Sequence, residues 1–337
     1  MKLSSISKKM KLLSLGVATL LAAGVFAGCG GSQESASSGG KTYKVGIVQL
    51  VEHNALDAAN KGFVDGLKER GFEEGKNVTF DKQNAQADQS NLQNIAQRFV
   101  SGKMDLICAI ATPAAQTVAN ATKDIPIVGT AITDYVGAKL AASNEKPGAN
   151  VTGTSDMNPI KEQIDLLMKI KPDAKTIGVI YCSSEVNSEV QVKAMQEYAE
   201  SKGLTVKVAT ISTVNDIQQA AQSLVGSVDA FYEPTDNVIA SAMPTLVAIT
   251  DAAKLPIICG EPNMVKAGGL ATYGIDYYKL GVQTGHMAAD ILEGKSKPAD
   301  MSIERAKDLK ITINKADAAR LGITIPEDVL KDADLVE

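Results

Sequence analysis

Glu52, His53 and Asp57 stand close together directly after the apolar run Val45–Gln49. Carboxylates and an imidazole are the usual proton carriers of catalysis. No nucleophile, metal spacing or phosphate loop accompanies them, so an acid/base centre has little to work with. They read better as one wall of a pocket, with Gln49, Glu52 and Leu56 facing a ligand and Asp57 capping the helix that follows. His53 then lies against an aromatic ring or faces solvent. A second group is Thr112-Pro-Ala-Ala115. Proline suits the first turn of a helix, and the free N–H groups of such a turn, here those of Ala114 and Ala115, hold an anion well. Polar loops also follow other apolar runs: Thr133 and Asp134; Glu185, Asn187 and Ser188; Asp236 and Asn237; and Asp276. Each Thr or Asp among them also fits the commonest role at such a turn, a helix N-cap. As a set they favour binding, because so many polar loops fall at strand ends on one side.

The elements that position these groups come in two series. Val45–Gln49, Asp105–Ile110 and Ile125–Val128 alternate with amphipathic segments of helix length, and the pattern restarts at Lys175–Tyr181, Thr205–Val208, Val228–Tyr232 and Pro256–Cys259. Apolar strands alternating with helices make parallel sheets with helical crossovers. The fold class is therefore α/β, with two doubly wound parallel-sheet lobes joined by hinge strands. Asn150–Asp156, after a Pro-Gly break, reads as the hinge. The expected division is lobe 1 over 42–152, lobe 2 over 153–275, a return to lobe 1 over about 276–300, and a C-terminal segment, 301–337, assigned to neither. Open α/β sheets bind ligands at the carboxyl ends of their strands, which places the site in the cleft between the lobes.

The N-terminus supplies an address. Lys2, Lys8, Lys9 and Lys11 precede an apolar run from Leu12 to Phe26 that is too short to span a bilayer, so residues 1–28 read as a signal peptide. Phe26-Ala-Gly-Cys29 resembles the bacterial lipobox, which makes Cys29 the lipidated residue of the mature chain and residues 29–41, rich in Gly and Ser, a flexible tether. The expected location is extracytoplasmic, at the membrane. The leader removes four of 34 basic residues and none of 39 acidic ones, leaving a formal charge of −9 that argues against nucleic acid. Cys108, Cys182 and Cys259 have no metal spacing and read as buried thiols, and the two histidines, His53 and His286, are far apart. No metal or cofactor is expected. Gly268 and Gly269 read as a turn, since the dinucleotide spacing of glycines is absent.

Several phrases in order carry a resemblance over nearly the whole mature chain: Val45–Gln49, Glu52-His-x-Ala-Leu-Asp57, Ala111-Thr-Pro-Ala-Ala-Gln116, Asn150-Val-Thr-Gly153, Glu185-x-Asn-Ser188, Thr235-Asp-Asn237 and Leu321-Gly-Ile-x-Ile-Pro326. The chain resembles the substrate-binding lipoproteins of ABC importers in the tryptophan/tyrosine-binding family. The resemblance implies a monomeric, non-enzymatic binding protein of the periplasmic-binding type I kind that closes on an aromatic amino acid and delivers it to a permease. For such a zwitterion, Thr112 with the N–H groups of Ala114 and Ala115 is the expected carboxylate site, helped by Thr133. Asp236 is the first choice for the ammonium and Asp276 the second. Glu185, Asn187 and Ser188 either recognise a polar tip such as a phenol hydroxyl or cap their helix. Tyr135 stands where many relatives carry proline; with Tyr181 and Tyr232 it is among the few aromatic rings available for stacking. The competing readings are a surface lipoprotein for another small molecule, an adhesin and a sensor lobe.

Overall fold

A computed structural model of the chain describes residues 41–337. The expected leader, Cys29 and the tether up to residue 40 lie outside the described residues.

The first sheet has six strands, all parallel: β1 (Tyr43–Gln49), β2 (Val78–Asn84), β3 (Leu106–Ile110), β4 (Ile127–Ile132), β5 (Val151–Ser155) and, from far along the chain, β11 (Glu304–Arg305), in the order β11-β5-β4-β3-β1-β2. The second has seven: β6 (Thr176–Cys182), β7 (Thr205–Ile211), β8 (Ala230–Glu233), β9 (Ile257–Cys259), β10 (Ala271–Ile275), β12 (Leu309–Asn314) and β13 (Asp334–Val336), in the order β13-β12-β10-β9-β8-β6-β7. It is not wholly parallel, because β12 runs antiparallel to β10. Residues of β3, β4 and β9 are buried throughout, which is why they read as continuous apolar runs. In β8 the two-residue alternation decides which face each side chain serves. Ala230 and Tyr232 join the core under helices Ile160–Ile170 and Val186–Ser201, and Phe231 joins the core on the other face with Met243 and Leu246.

The chain passes between the sheets three times. It leaves the first sheet after β5, so the hinge residues Gly153 and Ser155 pair with β4 in lobe 1, beyond the boundary expected at 152. After β10 it returns as the helix Tyr277–Leu292, which joins the first core through Tyr277, Leu280, Ala288, Ala289 and Leu292. The C-terminal segment is shared: β11 extends the first sheet, and β12 and β13 extend the second.

Helix Tyr277–Leu292 lies against helix Asn54–Glu69 at backbone distance. A Cβ on Gly62 would stand 2.1 Å from Tyr278 O, one on Gly66 2.3 Å from Val282 O, and one on Gly281 2.1 Å from Ala59 O. Only glycine allows this approach. Its consequence reaches the cleft, because Leu56 in the first turn of one helix and Tyr277 at the start of the other both line the cavity there.

Candidate functional site

A narrow cavity lies between the carboxyl edges of the two sheets. His53, Ala55, Leu56, Ala131 and Thr133 come to it from lobe 1, Asn187, Thr235, Asp236, Asn237, Ala240, Glu261 and Met264 from lobe 2, and Asp156 and Tyr277 from the crossings. The lobes touch around it. His53 Nε2 is 3.2 Å from Asn237 Oδ1, and Gln191 Nε2 donates to Thr133 Oγ1 at 3.3 Å. A larger groove of about 630 Å³ runs along the outer side of lobe 1 beside helices Gln89–Ser101 and Thr112–Ala121, but it is open and its lining, Ser184 apart, comes from one lobe. The enclosed interlobe cavity is the better candidate.

Thr112 starts its helix at the end of β3, the strand between β1 and β4, whose following segments supply the lobe 1 wall. Its Oγ1 is buried without a hydrogen-bond partner. Ala114 is buried in the same first turn, whereas the N–H of Ala115 already donates to Ala111 O and is not free for an anion. Ala111 takes φ 83° and ψ 152°, a region suited to glycine alone, and Ala131 at the end of β4 also has a positive φ of 55°. Backbone held this way costs about 1–3 kcal/mol per residue and is concentrated at ligand sites.

Asp156 is the group that the sequence left unremarked. It is buried in the cavity wall, accepts from Tyr277 Oη at 2.7 Å and from Thr133 Oγ1 at 3.1 Å, and pairs with no Lys or Arg among the described residues. Burial raises its carboxyl above the ordinary value, the two donors opposing. Two further donors still fit its oxygens, since a carboxylate has about four lone-pair positions.

Asp236 lines the cavity, but its carboxylate is spent on structure. Ile239 N donates to one oxygen at 2.9 Å, and Cys182 N and Ser188 Oγ to the other at 2.7 Å each, so it caps the helix Asn237–Ser241 and fastens it to β6. Asp276 is exposed, caps its own helix through Lys279 N and lies outside the cavity, which removes it as an ammonium partner. Glu185 is buried and accepts from Val238 N, Asn237 N and the side-chain amides of Asn187 and Asn237. Burial first and the neighbouring Asp236 second push its carboxyl up. Ser188 and Glu185 thus support Asn187 and Asn237, which themselves reach the cavity. The Oδ1 of Asn187 is buried with no partner.

Three expectations at the first helix change. Glu52 is exposed and away from the cavity, and Gln49 is closed into a local network with Val51 O, Asp57 and Asn60. Asp57 sits in the first turn, while His53 occupies the N-cap position without a side-chain cap. Asp134 bonds the N–H groups of Val136 and Gly137 in its own turn and does not reach the cavity. Tyr135 is a core residue. Its hydroxyl lies 2.9 Å from Gly129 O and 3.1 Å from Thr154 O, filling space that a side chain on Gly129 or Gly153 would occupy. Tyr232 is likewise buried, donating to Gln163, so of the tyrosines Tyr277 is the one that lines the cavity. Glu261 also lines it, capping the helix Pro262–Lys266 while burial pushes its carboxyl up to about 7. Among the described residues no group of His, Cys, Asp and Glu is arranged to hold a metal, and no helix is long and apolar enough to cross a membrane.

Known proteins share this chain's sequence and shape. A tyrosine-binding protein of Clostridioides difficile is 46% identical over 91% of each chain. A solved ABC domain from Streptococcus pneumoniae in complex with L-Trp is 44% identical, with a TM-score of 0.85 over 88% of this chain and 100% of that one. The ligand-free, open structure of a substrate-binding protein with adhesive properties from Clostridium difficile is 47% identical over 88% of this chain and 99% of that one, yet its TM-score is 0.68. At nearly equal identity this chain superposes more closely on the L-Trp complex than on the open form. The family model described as ABC transporter substrate binding protein matches residues 44–337, and the chain belongs to that family.

Proposed function

We propose that this protein captures a free aromatic amino acid between its lobes and delivers it to an ABC permease, held outside the cytoplasm by lipid on Cys29. The observation that carries the reading is an orphan atom of the cavity wall, Asn187 Oδ1 from lobe 2, buried without a partner; Thr112 Oγ1, at the end of β3 in lobe 1, is also buried without one. Leaving such a group unpaired costs about 1–3 kcal/mol, and a ligand that carries both donors and acceptors removes that cost. In this arrangement the Thr112 hydroxyl and the first-turn N–H of Ala114 receive the carboxylate. Asp156 replaces Asp236 as the partner of the ammonium. Ala55, Leu56, Ala131, Ala240 and Met264 offer the ring an apolar bed, and Asn187 Oδ1 accepts from a ligand N–H or O–H. The names of the relatives, tyrosine-binding protein and L-Trp complex, support the ligand class. Thermal melts against tyrosine, tryptophan, phenylalanine, leucine, a purine and a sugar test it. A ligand at about 100 times its dissociation constant adds about 2.7 kcal/mol of stability. A response confined to the three aromatic amino acids is expected; a flat response to all three with a rise for another compound refutes the ligand class.

A further inference from the structure

The titratable groups around the cavity are one-sided, carboxyls without a Lys or Arg. Asp156, Asp236 and Glu261 all line it, Glu185 lies directly behind Asn187 and Asn237, and Glu233 at the end of β8 is buried. No Lys or Arg belongs to the lining, and the single imidazole, His53, has its pKa lowered by burial and so offers little positive charge at neutral pH. Independently of the acids, Asn187 is 4% exposed and presents an acceptor that no group of the protein satisfies. Its amide orientation is fixed, because its Nδ2 already donates to Glu185. The orphan acceptor calls for a ligand N–H donor, and Asp156, bonded only by two hydroxyls, calls for positive charge. In the proposed arrangement the carboxylate end of an amino acid, by contrast, meets a neutral hydroxyl and a backbone N–H.

We infer that the cleft is a cation site that also takes primary aromatic amines, the decarboxylated counterparts of the proposed amino acids, as a second ligand class. This rests on the aromatic amino-acid reading for the ring and goes beyond it for the charge. Removing the ligand's carboxylate forfeits neutral hydrogen bonds. Removing its ammonium instead brings a lone carboxylate beside Asp156, which pairs with no Lys or Arg among the described residues, and like charges so placed are strongly disfavoured.

Calorimetric titration of the purified protein with tyrosine, tyramine and 3-(4-hydroxyphenyl)propionate at neutral pH tests the inference. Tyramine should bind at least about tenfold more tightly than the deaminated acid, a difference of about 1.4 kcal/mol or more. In Asp156→Asn the gap between the two should narrow. A deaminated acid that matches or exceeds tyramine overturns the inference, as does tyrosine binding with neither analogue. Tyramine binding without tyrosine upholds the cation site and refutes the amino-acid reading. Failure of both tyrosine and tyramine refutes the two together.

Discussion

Tyr277 Oη donates to Asp156 Oδ2 at 2.7 Å, and this bond joins the first crossing between the lobes to the second. Asp156 follows directly on β5, and Tyr277 begins the helix that follows β10. The carboxylate assigned to the ligand's ammonium is therefore aimed by the hinge itself. Tyr277→Phe removes that donor from a buried acceptor. It should weaken tyrosine binding by about 1–3 kcal/mol. Calorimetry checks this, and an unchanged dissociation constant would detach the hinge bond from the site.

Asp156→Asn separates binding from stability. Asparagine keeps an acceptor oxygen for one of Thr133 and Tyr277, meets the other with its amide NH2, and loses the charge, so tyrosine binding should weaken by about 2–5 kcal/mol, mostly through faster release. The unliganded melting temperature should hold or rise at neutral pH, because burial makes the ionised carboxylate unfavourable. Stopped-flow release and a melt of the same variant measure both. Affinity within twofold of the parent protein would rule out Asp156 as the counter-charge.

Glu261 makes stability depend on pH in a defined direction. Burial raises its carboxyl from 4.5 to about 7 in the native protein, so the native state retains a proton that the unfolded chain releases. Stability from this residue is complete below about pH 4.5 and falls by about 3 kcal/mol as pH rises through 7. Glu261→Gln should flatten the decline between pH 5 and 7 in urea titrations. A parallel decline in parent and variant would show that Glu261 is not the group responsible.

Gly281→Ala tests the close helix pair. The added methyl would stand 2.1 Å from Ala59 O, too near for backbone to yield without parting the helices. Overpacking of this kind costs about 1–3 kcal/mol or more, read as a lower urea midpoint. Tyrosine affinity should fall too, since the same helix positions Tyr277. A variant with parental midpoint and affinity would show that the contact has slack.

Cys29→Ala tests the anchor. The variant should appear in the soluble fraction after detergent-free extraction, where the parent protein stays with membranes. Retention equal to the parent's would place the anchor elsewhere.

The strand-end loops were legible because parallel strands buried on both faces read as apolar runs, and the loops that follow them must gather at one edge. What local sequence could not decide is where an acid points. Asp236, Asp276 and Asp156 all follow strands, yet the first two are followed at once by a helix whose N–H groups claim their oxygens. Asp156 is followed by Met157-Asn158-Pro159 before the helix Ile160–Ile170 begins. That spacing was a usable signal. Its donors, Thr133 and Tyr277, lie 23 and 121 residues away, a juxtaposition that only the folded chain supplies. Tyr135 was ambiguous for a similar reason. Its place in the core depends on Gly129 and Gly153 being paired across β4 and β5.

The helix Tyr277–Leu292 is made after all of β6 to β10, yet its seat is the glycine face of helix Asn54–Glu69; Arg70 meets Asp290 across 220 residues of chain. The lobe that begins first is thus completed only after most of the other has been made. Long-range closure of this kind slows assembly and ties it to whatever lies inside the loop. Until lobe 2 has drawn the two ends of its segment together, lobe 1 exposes an unfilled groove floored by backbone, so the two lobes should refold in one kinetic phase set by the slower.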